Sequence, residues 1–233
     1  AQERPPVSPP GGEATGTGGA SAVFSANAFV DASGAAVTGQ VAVHVTGLDP
    51  SDPDQLAAAP GDFEGRTSTG GTELLESYGM LDLTVLQDGS ELQLAEGATA
   101  EIRIPAPVNV SDPPAEMPLW SFDEDAGVWV EEGTMTWDET LNAYTVEIPH
   151  MSFWNADQPL ETTCVTGLVV DGSGAPVAGA RVAGRGIDYN GSSTVTTQPD
   201  GRFYLPVRIN SQVAILASHS SGGGLERIVT TGS

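Results

Sequence analysis

From residue 22 onward the apolar positions recur every second residue rather than every third or fourth. AVFSANAFV, GQVAVHVTGL, GMLDLTVLQ, ELQLAEG and AEIRIPAPV are short alternating runs, each bounded by Gly, Asp, Pro or Ser. PLWSFDE, VWVEEGTM and AYTVEIPHMSFW continue the rhythm. After DQPLETT it resumes with CVTGLVVD, ARVAGRG, STVTTQ, RFYLPV, QVAILAS and LERIVTT. Alternation sends successive side chains to opposite faces of a strand, so each run predicts a half-buried strand. Many short strands separated by turn residues predict packed sheets. The single helical candidate is the short stretch DPDQLAAA at 52–59. The pattern therefore predicts an all-β fold of two tandem β-sandwich domains, at residues 21–158 and 162–233. A chain of 233 residues is long enough for two such cores.

Residues 1–20 break the rhythm. AQERPPVSPPGGEATGTGG has no apolar period and is rich in Pro and Gly, which predicts an irregular N-terminal arm resting against something else, a neighbouring subunit being the economical choice. Within the two expected domains lies an internal echo. FVDASGAAVTG at 29–39 and VVDGSGAPVAG at 169–179 share V-D-x-S-G-A-x-V-x-G in register. Both read as a strand, an Asp-Ser-Gly turn and a second strand, with Gly at the left-handed position.

Charge narrows the function classes. The chain carries 31 acidic and 8 basic residues, a formal net charge of -23, and every basic residue is Arg. Such a surface repels phosphate backbones and anionic lipid headgroups, which argues against nucleic acid and membrane surfaces as partners. The absence of Lys excludes a Lys–Asn isopeptide cross-link and a Schiff-base lysine. One cysteine, Cys164, cannot form an intrachain disulfide, and near the start of a strand it reads as a buried, inert thiol. No apolar run approaches the ~20 residues of a membrane span. The opening AQERPPVSPP reads as a mature start after signal-peptide cleavage. An Arg-only, Ala- and Gly-rich composition reads as bacterial, and the location as extracellular or cell-surface.

The second expected domain carries V-x-G-x-V-x-D-x-x-G-x-P-V-x-G-A-x-V at 165–182 and T-x-x-D-G-x-F at 197–203. With these motifs it resembles the carboxypeptidase regulatory-like domain, a transthyretin-like sandwich. The resemblance implies a non-catalytic accessory module in which Gly201 makes a tight turn and Phe203 heads a core strand. It also implies one further strand beyond LERIVTT, and hence an unpaired edge. The first expected domain carries G-x-V-x-V-x-V-T-x-L-D-P-S at 39–51, PGDFEGRT at 60–67 and LLESYGMLDLTV at 74–85. PLWSFDEDAGVWVEEG at 118–133 and PHMSFWNAD at 149–157 complete the set. It is similar to the sandwich that accompanies such modules in bacterial surface proteins and in cartilage intermediate layer protein-like proteins.

Two constellations carry candidate chemistry. PHMSFWN resembles the cleavage tripeptide of the autoproteolysis-inducing domain of adhesion receptors and of self-cleaving domains in netrin-receptor relatives. That resemblance implies His150 as base, Ser152 as nucleophile and the Met151 carbonyl as the scissile group, cut between Met151 and Ser152. Against it, a period-two strand puts His150 and Ser152 on one face, Met151 and Phe153 on the other, and Phe153 and Trp154 at the bottom of the core. The bland strand reading carries more weight. The acidic turns LDPSDPD and DEDAG offer Asp49, Asp52 and Asp54, then Asp123 and Asp125, as calcium ligands. Neither matches EF-hand spacing, and solvated turns are the simpler account. No other cofactor is implied. The sequence thus points to a non-enzymatic extracellular structural protein: a homo-oligomeric or polymeric surface-fibre or filament subunit joined head to tail by strand or arm exchange. The alternatives are a self-cleaving module and a calcium-stabilised adhesion module.

Overall fold

The computed structural model describes residues 11–232. Residues 1–10, half of the expected arm, and Ser233 lie outside the described residues. The chain divides into two compact units. Of the described residues, one is built from 11–59, 78–124 and 130–157; the other from 60–77, 125–129 and 158–232. Both are sheets packed on sheets, and the fold is all-β.

The largest sheet has the strand order Gly12–Thr15, Ser21–Phe24, Ala100–Pro105, Ala143–Ile148, Val128–Asp138, Glu116–Asp123, Phe153–Pro159, Thr72–Gln87, Ala42–Leu48, and most of its residues belong to the first unit. The register explains the alternation. Tyr144 lies opposite Ile104, Val146 opposite Ile102 and Ile148 opposite Ala100, while Thr145 and Glu147 meet Arg103 and Glu101. Tyr144, Ile102, Ile104 and Ile148 are fully buried and join Trp154, Leu81 and Met117 in the core. On the solvent face Arg103 pairs with Glu101 and with Glu13, each at 2.8 Å.

Glu13 belongs to the expected arm. Gly12–Thr15 is a strand paired antiparallel with Ser21–Phe24, and Ala14 is buried. A 3-10 turn, Thr17–Gly19, follows it and lies across Ala42–Leu48. The approach is close because both segments offer glycine there. A Cβ on Gly47 would stand 2.6 Å from the Thr17 carbonyl oxygen, and one on Gly16 would overlap that of Val45. Thr17 Oγ1 donates to the Gly47 carbonyl at 3.0 Å. The helical candidate at 52–59 is one turn, Pro53–Leu56, with Asp52 as N-cap.

The run AYTVEIPHMSFW is not one strand. It breaks into Ala143–Ile148 and Phe153–Pro159, with residues 149–152 outside both. Pro149 has no N–H to continue the ladder, so the strand stops before it. His150 and Ser152 therefore do not share the face of a strand. Trp154 is fully buried, whereas Phe153 is only partly so.

In the second unit Thr162–Leu168 pairs with Arg202–Arg208 in a two-stranded sheet. The other sheet runs Ser192–Thr196, Arg181–Gly186, Gln212–His219, and the last of these also holds Gly222–Gly223 and Arg227–Thr230. Val182, Leu205, Val207, Val213 and Ile215 fill the core between them, with Tyr189 at its margin. From the segment 60–77, Phe63 stacks on Trp129 at 6.5 Å between ring centroids.

The internal echo is built the same way twice. Asp31 Oδ1 accepts from Ser33 N at 2.8 Å, Ser33 Oγ at 2.6 Å and Ala35 N at 3.0 Å. Asp171 Oδ1 accepts from Ser173 N, Ser173 Oγ and Ala175 N at the same three distances. The Ser hydroxyls, then the backbone N–H groups, hold both carboxyls below the usual range. Gly34 and Gly174 close the turns at φ 81° and 86°.

Candidate functional site

Because the strand breaks at Pro149, residues 149–152 form a short connection whose polar groups must find partners outside a ladder. Met151 N donates to Gln93 Oε1 at 3.2 Å, and the Ser152 carbonyl accepts from Leu83 N at 3.3 Å. The His150 ring lies 4.8 Å from the buried Trp154 ring. Its Nε2 is 3.0 Å from both carboxylate oxygens of Glu132, and Nδ1 is 3.3 Å from the Met151 carbonyl oxygen. Ser121 Oγ also donates to Glu132 Oε1. Glu132 and Ser121 are the partners that sequence reasoning missed. In VWVEEGTM the acids at 131 and 132 face opposite ways, and alternation alone does not say which one meets the histidine.

This geometry bears on self-cleavage. The reaction needs a lone pair of His150 within reach of the Ser152 hydroxyl. Instead Ser152 Oγ faces the carbonyls of Phe122 at 3.4 Å and Phe153 at 3.3 Å, both acceptors and neither a base. No hydrogen bond joins His150 to Ser152 Oγ among the described residues. Nδ1 sits at the oxygen of the Met151 carbonyl, where a donor belongs, rather than at the nucleophile. As arranged, the cluster ties the 149–152 connection to the strand Val128–Asp138. At 41 and 26 % side-chain exposure the His150–Glu132 pair is worth about 1 kcal/mol or less.

In the turn at 48–54 two of the three carboxylates are occupied by donors of their own chain. Asp49 Oδ1 accepts from Ser51 N and Oγ at 2.9 and 2.7 Å. Asp52 Oδ1 accepts from Asp54 N and Oδ2 from Gln55 Nε2, at 3.0 and 2.8 Å. The Gln55 bond is the main reason that the Asp52 carboxyl lies below its usual range. Asp123 ends the strand Glu116–Asp123, and Asp125 lies in the turn before Val128–Asp138. Among the described residues, no group of three or more His, Cys, Asp or Glu is arranged to hold a metal ion.

Cys164 is exposed, contrary to the expectation of a buried thiol. It shares the outward side of Thr162–Leu168 with Thr162, Thr166 and Leu168, while Thr163, Val165 and Gly167 face inward. The even positions of this strand are simply the solvent side. Trp120, Trp129 and Trp154 are fully buried and give no surface for stacking a sugar. Among the described residues no helix is long and apolar enough to cross a membrane.

The chain is similar to cartilage intermediate layer protein 1 of Sus scrofa, 28% identical over 145 residues, covering 58% of this chain and 24% of the relative. Cartilage intermediate layer protein 2 of Mus musculus is 33% identical over 113 residues, 48% of this chain and 10% of the relative. Cartilage intermediate layer protein 1 of Homo sapiens is 26% identical over 145 residues, 58% of this chain and 12% of the relative. The relationship is one of distant homology. The chain spans about a quarter or less of the length of these relatives. No protein-family model matches the chain, and no solved structure matches it significantly.

Proposed function

We propose that this chain is a non-enzymatic, extracellular structural module of bacterial origin that assembles with further copies by strand or arm exchange. The single observation that carries the extracellular reading is the distant homology to proteins named for a layer of cartilage. Three features add weight. Among the described residues no base addresses the Ser152 hydroxyl, and the carboxylates of Asp49 and Asp52 are held by local donors. The strand Thr162–Leu168 has a partner on one side only among the described residues, which leaves an edge for strand addition. The D-x-S-G-A turn at 171–175, followed by the tight turn at Gly201, supports the reading of residues 162–233 as a carboxypeptidase regulatory-like accessory sandwich.

Sedimentation velocity across a wide concentration range, with negative-stain microscopy of the same samples, tests this reading. Open polymers of regular repeat are the expected result. A chain that stays monomeric at every concentration contradicts the assembly part of the proposal.

A further inference from the structure

Two asparagines of the chain open the tripeptide Asn-x-Ser with x other than Pro: Asn109-Val110-Ser111 and Asn190-Gly191-Ser192. This tripeptide is the acceptor signature for N-linked oligosaccharide. The transferring enzyme reads the hydroxyl two residues on, and the asparagine amide nitrogen takes the sugar. The fold treats the two copies in opposite ways.

Asn109 lies in the connection 106–115, between the strands Ala100–Pro105 and Glu116–Asp123. Val110 N donates to the Pro107 carbonyl at 3.0 Å, which closes a turn with Val108 and Asn109 at its tip. Val108, Asn109 and Ser111 are all exposed, Val108 at 89 %. Pro107, Pro113 and Pro114 have no N–H to give, so the connection is not drawn into a ladder. Both side chains that the enzyme must address are therefore at the surface.

Asn190 is 9 % exposed. Its Nδ2, the atom that would carry the sugar, donates to the Ser77 carbonyl at 3.2 Å, and its own carbonyl accepts from Ser77 N at 2.7 Å. Gly191 is packed so closely that a Cβ there would stand 2.6 Å from the Leu75 carbonyl oxygen. Ser192 lies in a ladder, opposite Arg185. A sugar on Asn190 would have to displace the segment that carries Leu75 and Ser77.

We propose that Asn109 is an acceptor for an N-linked oligosaccharide and that the fold excludes Asn190. The donor is a polyprenyl-diphosphate-linked oligosaccharide, used by a membrane oligosaccharyltransferase as the chain is exported. Asn109 Nδ2 attacks the anomeric carbon of the donor, forming the carbon–nitrogen bond. The bond from that carbon to the diphosphate oxygen breaks, and its electron pair leaves with the polyprenyl diphosphate. Nδ2 gives up one proton to a base of the enzyme. The bulky, hydrophilic product stands beside Val108 and screens that apolar tip. The inference goes beyond the proposed function: it draws on the extracellular location and not on assembly.

The test secretes the full chain, behind a cleavable signal sequence, from cultured animal cells, which supply the enzyme and the donor. Peptide-N-glycosidase in heavy-oxygen water converts each occupied Asn to labelled Asp, and peptide mass spectrometry reads the two sites separately. The label also distinguishes this conversion from spontaneous deamidation at Asn190-Gly191. Label at Asn109 and none at Asn190 is the expected result. Asn109→Gln and Ser111→Ala should each abolish the glycan, and Ser111→Thr should keep it. Both positions are exposed, so these variants retain the fold. An unlabelled Asn109 in the secreted chain overturns the proposal, and so does label at Asn190. If the chain is retained in the cell, a glycosidase-sensitive mobility shift that Asn109→Gln removes supports the site, and its absence overturns it. Neither result bears on assembly, which sedimentation of the unglycosylated chain tests separately.

Discussion

Two glycines of the second unit sit in left-handed turns with similar backbone angles and opposite surroundings. Gly174 has φ 86° and Gly201 φ 78°. A Cβ on Gly174 would meet nothing within 4 Å. One on Gly201 would stand 2.7 Å from the Val169 carbonyl oxygen, 3.0 Å from Pro176 Cβ and 3.1 Å from Leu168 Cδ1. The left-handed region costs an L-residue about 1–2 kcal/mol, which both alanine variants bear. At Gly201 the crowding adds about 1–3 kcal/mol, the usual scale of overpacking. The turn cannot recoil freely, because the Gly201 carbonyl accepts from Val169 N and Gly201 N donates to Gln198 O, both at 2.9 Å. Gly174→Ala should therefore cost about 1–2 kcal/mol and Gly201→Ala about 2–5 kcal/mol. Both residues lie in the same unit, so urea unfolding of the full chain compares them in one transition. Equal costs would refute the argument that contact, rather than backbone angle, distinguishes the two positions.

Three further outcomes follow from the first unit. Tyr144 is fully buried and its hydroxyl has no hydrogen-bond partner among the described residues, so Tyr144→Phe should hold or raise stability in thermal unfolding; a loss above about 1 kcal/mol would mean that the hydroxyl is satisfied by bound water. Burial, with Glu124 as the next cause, raises the Asp82 carboxyl above its ordinary 3.8, so the folded state binds that proton more tightly than the unfolded state. Its favourable contribution is complete below the ordinary value and is lost as pH rises through the raised one. Asp82→Asn should thus raise the melting temperature at pH 7 by a margin that narrows as pH falls toward the carboxylate range, and a constant margin would contradict the assignment. Denaturing intact mass should give one species for the whole chain, unchanged by His150→Ala; two masses divided between Met151 and Ser152 would revive the self-cleavage reading.

The strands were legible because alternation is a local property. Tyr144, Val146 and Ile148 announce an inward face without reference to their partners, and Ile102 and Ile104 do the same. The Asp-Ser-Gly turns were legible because Asp, Ser and Gly contact one another within five residues. Properties set by distant neighbours were not. Nothing in LLESYGMLDLTV says that one strand, Thr72–Gln87, contributes residues to both compact units. The exposure of Cys164 follows from its place on a strand covered on only one face. The meeting of His150 with Glu132 depends on the break at Pro149, which turns the chain out of the ladder. Arg227 lies near the end of an alternating run, and its inward face emerges only from the register with Ile215.

Hydrogen exchange on the full chain, compared between dilute and assembled samples, tests the central claim most directly. In the dilute chain, the amides of Thr162–Leu168 that point away from Arg202–Arg208 have no ladder partner among the described residues and should exchange quickly. In the assembled chain the same amides should slow by at least tenfold. Assembly that leaves Thr162–Leu168 as fast as before would contradict the account.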